Sequence, residues 1–502
     1  MTHKLLPIFA ARNHQDWLKG IDGQKIEAIA QQKFQEITAS FPNFRPKILL
    51  CEADPEQFIG HFLAAVEAKC PIFLGNPHWQ AQEWQQVFDF LQPDIIWGND
   101  LANLQKYLIK PLTPKESDQF LFLTKKTKNQ AAIMIPTGGS SGKIRFSIHT
   151  WATLTASVSG FTEYFQVPKV NSFCLLPLYH VSGLMQFIRS FTTGGTLAIF
   201  PSYKEILNAL TSGAGEAIPS QKILEEINPE NFFISLVPTQ LSRFLQQAIA
   251  ADWLSQFATV LLGGAPAWPE LLAKARKYQI KLAPTYGMTE TASQIVTLKP
   301  SAFLGGNQSC GQVLPHAQVS ICNEDGQPLG VNQIGLVKIR TKSLALGYYP
   351  PGASISQLEE NSSEYTSDDL GFFDADGDLN IVGRRSDKII TGGENVFPAE
   401  VEAAIRATGL VADVCAIALP DPDWGQAIAA VYIPHHLTVS PESVKIQLVD
   451  RLAKYKQPKY WVPVTELPRN AQGKINRDRL YQIAQAWRLS QPETTNQHST
   501  VP

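Results

Sequence analysis

Pro136-Thr137-Gly138-Gly139-Ser140-Ser141-Gly142-Lys143 follows a short apolar run, Ala131 to Ile135, and precedes Ile144-Arg145-Phe146-Ser147-Ile148. Three glycines let the backbone turn tightly and approach a ligand closely. Successive N–H groups in such a loop form a nest for an anion. Thr137, Ser140 and Ser141 add hydroxyl donors and Lys143 adds a positive charge, a set that suits a triphosphate. The stretch is not a Walker A loop, which needs glycine at position 137 and Ser or Thr after the lysine; here those residues are Thr137 and Ile144. It does carry the letters of a hydrolase nucleophile elbow, Gly138-x-Ser140-x-Gly142, but that motif requires a helix straight after the serine turn. Residues 144 to 148 instead alternate polar and apolar, which predicts a strand. Read alone, the loop is also compatible with a structural surface turn.

Outward from this loop the chain reads as an α/β protein. Short continuous apolar runs at Phe173–Leu176, Thr196–Phe200, Phe233–Val237 and Val260–Leu262 are separated by helical stretches such as Gln240–Ala250 and Pro269–Lys277. Such runs suit strands covered on both faces. Residues 311–349 change character, with strands at Ala317–Ile321 and Gly335–Arg340 and turn residues Asp325-Gly326, and read as a β subdomain. Before the loop, Ile48–Leu50, a helix over Pro55–Lys69 and Pro71–Leu74 suggest an α/β unit. A helix over Gln80–Leu91 carries an apolar stripe of Trp84, Val87, Phe88 and Leu91, better read as core than as a cofactor box. Near Gly383–Asp387 a smaller unit begins. It reads as helix Pro398–Ala407, strands Val414–Leu419 and Ala427–Ile433, and helix Pro441–Lys454 with Val444, Ile446, Val449 and Leu452 turned inward. The expected division is residues 1–383, residues 384–488 and a loose polar tail, 489–502.

Composition narrows the function classes. With 502 residues, 44% hydrophobic and 18% charged, the chain is an ordinary globular protein of several domains. A formal net charge of -2 gives no nucleic-acid footprint. The six cysteines form no CxxC pair, which argues against structural zinc and a disulfide scaffold and for a reducing compartment. A weak N-terminal apolar stretch is a poor signal peptide and no apolar run is long enough for a membrane span, so a cytoplasmic protein is expected. Homodimerisation is left open.

Further segments follow in order: Leu176-Pro177-Leu178-Tyr179-His180-Val181-Ser182-Gly183; Leu262-Gly263-Gly264-Ala265-Pro266; Pro284-Thr285-Tyr286-Gly287-Met288-Thr289-Glu290-Thr291; Ser367-Asp368-Asp369-Leu370-Gly371; Gly383-Arg384-Arg385-Ser386-Asp387; Thr391-Gly392-Gly393-Glu394; and Asn470-Ala471-Gln472-Gly473-Lys474. In this order, over residues 131 to about 480, they resemble the adenylate-forming family of acyl-CoA synthetases, luciferases and peptide-synthetase adenylation domains. Tyr286 to Gln294 and Gly383 to Asp387 are most similar to its 2-succinylbenzoate–CoA ligase branch, which serves menaquinone and phylloquinone biosynthesis. A relative acting on another aromatic or medium-chain fatty acid, an adenylation enzyme serving a carrier protein, and a non-catalytic nucleotide binder stay open beside it.

The resemblance implies a large N-terminal domain of α/β layers plus a β subdomain, and a smaller mobile α+β C-terminal domain. It implies ATP, Mg²⁺ and coenzyme A as partners of a carboxylic acid. It gives Lys474, His180 and Thr289 as candidate catalytic residues and Glu290 as the metal ligand. Thr137, Gly138, Gly139, Ser140, Ser141, Gly142 and Lys143 would hold phosphates. Gly264, Ala265 and Tyr286 would line the adenine, Asp369 and Arg384 would meet the ribose, and Gly392 and Gly393 would admit the pantetheine arm. The chemistry agrees: a carboxylate accepts two hydroxyl bonds, and a hard cation bridges carboxylate and phosphate. A lysine stabilises charge building at the α-phosphate. Departures stand at the loop, where the hydroxyls are shifted and Ile144-Arg145 follows, and at Ser386, which occupies the usual hinge-aspartate position.

Overall fold

Ile48–Cys51 and Ile72–Leu74 are buried at every position and pair in parallel, Ile48 opposite Ile72, with the helix Pro55–Glu67 between them. Asp54 starts that helix by accepting from the Gln57 N–H at 2.9 Å, with Pro55 in the first turn. The expected first α/β unit is therefore present. The structure is a computed structural model that describes residues 4–98, 104, 127, 130–138, 144–200, 202–211, 219–350, 364–436, 438–469 and 475–490. Gly139 to Lys143, Lys474 and the tail beyond residue 490 lie outside the described residues. The chain divides into two compact units: Met1–Ala267 with Leu271–Ile381, and Trp268–Glu270 with Val382–Pro502.

Among the described residues the first unit holds three sheets. One runs, edge to edge, Tyr348–Tyr349, Ile144–His149, Ile133–Gly138, Ile72–Leu74, Ile48–Cys51 and Ile95–Gly98. A second runs Leu18–Lys19, Leu197–Ile199, Asn171–Cys174, Phe232–Leu236, Thr259–Leu262, Leu282–Met288, Ser293–Thr297 and Gln312–Val313. It is parallel as far as Leu282–Met288, and its last two pairings are antiparallel. The third is the expected β subdomain: Ala317–Cys322, Gly335–Thr341 and Glu364–Phe373 pair antiparallel, and Leu379–Arg384 completes it. Trp84, Val87, Phe88 and Leu91 pack with Phe73 and Phe146, so the stripe on Ala81–Phe90 is core as expected.

The helix expected over Gln240–Ala250 is broken into Pro238–Phe244 and Ala248–Ser255. No glycine or proline marks the break; burying Phe244 and Leu245 and then Trp253 and Leu254 requires the chain to change direction.

In the second unit Glu394–Val396, Ile389–Thr391, Gly425–Pro434 and Val411–Asp421 form a sheet, with Tyr460–Pro463 parallel to Gly425–Pro434. Helices Pro398–Arg406 and Arg477–Ser490 accompany it. The helix expected over Pro441–Lys454 ends at Leu448, and its inward face differs from expectation. Val444, Leu448 and Leu452 are buried at a spacing of four, whereas Ile446 and Val449 are 72% and 65% exposed. A four-residue repeat fills one narrow stripe and leaves no room for the two intervening apolar residues. Val444→Glu should therefore destabilise the protein by more than about 3 kcal/mol through an unpaired buried charge, while Ile446→Glu should stay within about 0.5 kcal/mol of the parent, both measured by urea unfolding.

Candidate functional site

The glycine-rich segment joins two paired antiparallel strands, Ile133–Gly138 and Ile144–His149, with Thr137 opposite Arg145 and Gly138 opposite Ile144. A strand where a helix would be needed removes the nucleophile-elbow reading. Because side chains alternate along a strand, Phe146 and Ile148 enter the core while Arg145, Ser147 and His149 share the other face. Two of these reach the short helical turn Thr289–Thr291.

That turn is held at three consecutive carbonyls. His149 Nε2 meets Thr289 O at 2.8 Å, the Ala345 N–H donates to Glu290 O at 2.7 Å, and Ser343 Oγ donates to Thr291 O at 2.9 Å. Ala292 and Ser293 follow with φ of 52° and 96°, a left-handed reversal that starts the antiparallel strand Ser293–Thr297. A carbonyl only accepts, so Nε2 of His149 carries the ring proton, and Nδ1 faces the Thr153 hydroxyl at 3.0 Å. Burial pushes this imidazole down to about 4, so it is neutral at physiological pH.

The pinned turn aims Glu290, which is buried. Its Oε1 accepts from the Tyr348 hydroxyl at 2.7 Å and lies 3.7 Å from Arg145 Nη2. The Arg145 guanidinium lies 3.9 Å from the Tyr348 ring centroid. Burial, then the Glu290 charge, hold the Tyr348 phenol well above its ordinary value, so it stays a donor. Among the described residues no cluster of three or more His, Cys, Asp or Glu forms a metal cage. A single hard carboxylate fits Mg²⁺, an ion that takes its other oxygens from phosphates and water.

On the neighbouring strand, Leu282–Met288, Tyr286 donates to Asp369 Oδ2 at 2.8 Å, and the Asp369 N–H donates to Ser367 Oγ at 3.1 Å. The ring of Tyr286 packs among Ile295, Val296, Leu344 and Tyr365. Leu344 lies between Ser343 and Ala345, so one apolar cluster underlies both the turn anchors and the Tyr286–Asp369 pair. Gly263 and Gly264 leave the carboxyl end of Thr259–Leu262, which runs parallel to Leu282–Met288. Gly264 has φ +81°, and a Cβ at Gly263 would press on Thr285 Oγ1. Ala265 is exposed beside them. Crevices beyond parallel strand ends are the usual ligand sites of such sheets.

His180 caps the N-terminus of Val181–Thr193 and is buried against the Tyr179 ring. Arg189, further along this helix, is 2% exposed. Its Nη2 donates to Ser293 Oγ and Gln294 Oε1, each at 3.0 Å, and its guanidinium lies 4.3 Å from the Phe161 ring centroid. Nε has no partner, and among the described residues no carboxylate pairs with it. Burial lowers it to about 9, which still leaves it charged at neutral pH.

In the second unit Arg384 is exposed and its carbonyl accepts from the Asp387 N–H at 3.2 Å; Asp387 also pairs with Arg477 at 3.3 Å, bracing the turn that holds Ser386. Gly392 and Gly393, with φ of 57° and 86°, turn the hairpin Ile389–Thr391 to Glu394–Val396, conformations that favour glycine. Sequence reasoning missed Tyr348 and His149. Alternation along Ile144–His149 was the available signal for His149; Tyr348 had none, since its partner is 58 residues away.

The desolvated neutral His149 makes stability depend on pH. Its folded value lies below the unfolded one of about 6.5, so the unfolded chain binds more protons and stability falls as pH drops from about 6.5 to 4. His149→Gln should remove on the order of 3 kcal/mol of that acid-dependent loss, measured by urea unfolding at pH 7 and pH 4.

A family model described as AMP-binding enzyme matches residues 48–349, and one described as AMP-binding enzyme C-terminal domain matches residues 400–474. The 2-succinylbenzoate–CoA ligase of Bacillus velezensis is 31% identical over 71% of this chain and 70% of its own length. Two structures of the Bacillus subtilis o-succinylbenzoate CoA synthetase share the fold. The complex with the acyl-adenylate intermediate has a TM-score of 0.76 at 22% identity, over 94% of this chain and 97% of that one. The complex with ATP and magnesium has a TM-score of 0.77 at 21% identity, over 94% and 98%. With its motifs in that family's order and both family models matched in sequence, the chain belongs to the AMP-binding enzymes.

Proposed function

We propose that the protein joins 2-succinylbenzoate to coenzyme A in two steps. A carboxylate oxygen of the acid attacks the α-phosphorus of ATP, giving acyl-adenylate and releasing pyrophosphate. The thiol of coenzyme A then displaces AMP, giving 2-succinylbenzoyl-CoA. The protein is an AMP-forming acid–CoA ligase; the particular acid and the residue roles are our reading. It places the reaction in the cytoplasm, as a step of menaquinone or phylloquinone biosynthesis.

The observation that carries the choice of acid is Arg189. A buried cation whose hydrogen bonds go only to neutral groups is costly, and the missing partner is an anion. A dicarboxylate supplies one: one carboxylate is activated, the other meets Arg189. A fatty or plain aryl acid would leave the guanidinium without its anion.

The other roles follow from the site. Asp369, oriented by Tyr286, would accept from the ribose hydroxyls. Glu290 would hold Mg²⁺, which offsets phosphate charge when bound. Thr289, beside it on the same pinned turn, would face the phosphoryl region. Gly138 and the loop to Lys143 would cradle the phosphates, and Gly264 and Ala265 the adenine. Lys474 would stabilise charge at the reacting phosphorus, and Gly392 and Gly393 would serve thiolation.

Two experiments test this. Wild-type protein should show ATP-dependent pyrophosphate release with 2-succinylbenzoate, at a kcat/KM roughly a thousandfold above benzoate or octanoate. Arg189→Met should erase that preference without unfolding the protein; equal use of the simple acids by wild type would refute the assignment. Lys474→Ala should slow adenylation by more than about a hundredfold and affect thiolation of supplied acyl-adenylate far less. Equal loss in both half-reactions would count against its role.

A further inference from the structure

His316 lies in the turn between Gln312–Val313 and Ala317–Cys322, its backbone fixed by the Thr341 hydroxyl donating to its carbonyl at 3.0 Å. Both ring nitrogens are enclosed, and neither has a hydrogen-bond partner. A neutral imidazole has one donor and one acceptor, so both functions are unmet. Chance burial is a poor account, because the fold makes room for this ring. It rests over Gly160 in the helix Trp151–Phe165, where even a methyl group would collide with Nδ1. Glycine inside a helix is about 1 kcal/mol worse than alanine, so this space has a cost.

The next residue, Phe161, carries the Arg189 guanidinium on its ring. His316 and Arg189 therefore lie against adjoining positions, Gly160 and Phe161, of one helix, and burial first, then the Arg189 charge, push the His316 imidazole down to about 4. Two further N–H groups beside Arg189 are also unmet: its own Nε and the Gln294 Nε2. Gln294 Oε1 is already taken by Arg189. A helix, a strand and a turn therefore supply unused donors, and among the described residues the charge acting on His316 is the positive one of Arg189. The complement of such a set is an acceptor-only anion with several lone pairs, which describes a carboxylate.

We propose that His316 is a specificity-determining residue of the acyl site, donating a hydrogen bond to the unactivated carboxylate of the substrate beside Arg189 and Gln294. This rests on the dicarboxylate reading above. The imidazole enters as the neutral form with its proton on the nitrogen facing the ligand.

The test compares kcat/KM for 2-succinylbenzoate with that for its two mono-acid analogues, 4-oxo-4-phenylbutanoate and 2-butanoylbenzoate, using whichever the enzyme accepts. His316→Leu should lower the dicarboxylate value roughly ten- to a hundredfold and leave the mono-acid within threefold, as expected for an unpaired buried polar group. His316→Asn, which keeps a donor, should recover most of the loss. Gly160→Ala should favour the helix but displace the ring, and so reproduce the Leu phenotype without changing His316. An unchanged dicarboxylate preference in His316→Leu, with the preference lost in Arg189→Met, would leave the acid assignment standing and overturn the role of His316. Equal losses on both substrates would mark His316 as structural and overturn it too. A wild type indifferent to the second carboxylate would sink the acid assignment itself, and this proposal with it.

Discussion

Three consecutive carbonyls, those of Thr289, Glu290 and Thr291, are each held by a different donor, and the rest of the site depends on that arrangement. A one-turn segment has almost no hydrogen bonding of its own and would otherwise sample many conformations. Here His149 comes from the strand after the glycine-rich loop, and Ser343 and Ala345 come from the segment leading to Tyr348. The loop that would bind phosphate and the carboxylate that would bind its metal are thus tied through two residues of one strand, His149 and Arg145. Burial keeps that histidine neutral, so it donates to the Thr289 carbonyl without bringing a charge into the core.

Glu290 illustrates how such a carboxylate is tolerated in a buried place. Tyr348 donates to one oxygen and Arg145 lies within ion-pair distance, so its charge is met by one hydroxyl and one cation. Arg145 in turn stacks on Tyr348. The three side chains come from distant parts of the chain and brace one another, as a site needs if its carboxylate is to be in place before substrate arrives.

Much of this was legible in the sequence because it is periodic or local. The alternation after Lys143 identified a strand and disposed of the hydrolase reading, and the apolar runs marked parallel strands within a residue or two. Tyr286, Glu290 and Asp369 were legible as members of an ordered motif set. What could not be read was pairing across distance. Tyr348 to Glu290, Tyr286 to Asp369 and His149 to Thr289 span 58, 83 and 140 residues, and no local pattern encodes them. The helix Pro441–Leu448 failed for a related reason. Val444, Ile446, Leu448, Val449 and Leu452 allow more than one stripe, and only packing against Trp461 and its neighbours chose Val444, Leu448 and Leu452. The break after Phe244 likewise has no glycine or proline to announce it.

On the proposed reading, Arg189 makes specificity out of a local cost. The guanidinium has been taken out of water and given neutral partners and an aromatic face, which compensate a cation only in part. Replacing buried charged groups by apolar residues of similar volume is often neutral for stability, so stability alone does not explain the presence of Arg189. A substrate anion that meets it converts that unfavourable burial into a paired one, and the gain depends on the ligand carrying a second charge. The same arrangement would reject an acid without that charge, because such a ligand would seal the cation away from water and return nothing. Discrimination would then come less from the shape of an apolar pocket, which separates similar acids by only about one or two orders of magnitude, than from a group left unsatisfied until one class of acid arrives.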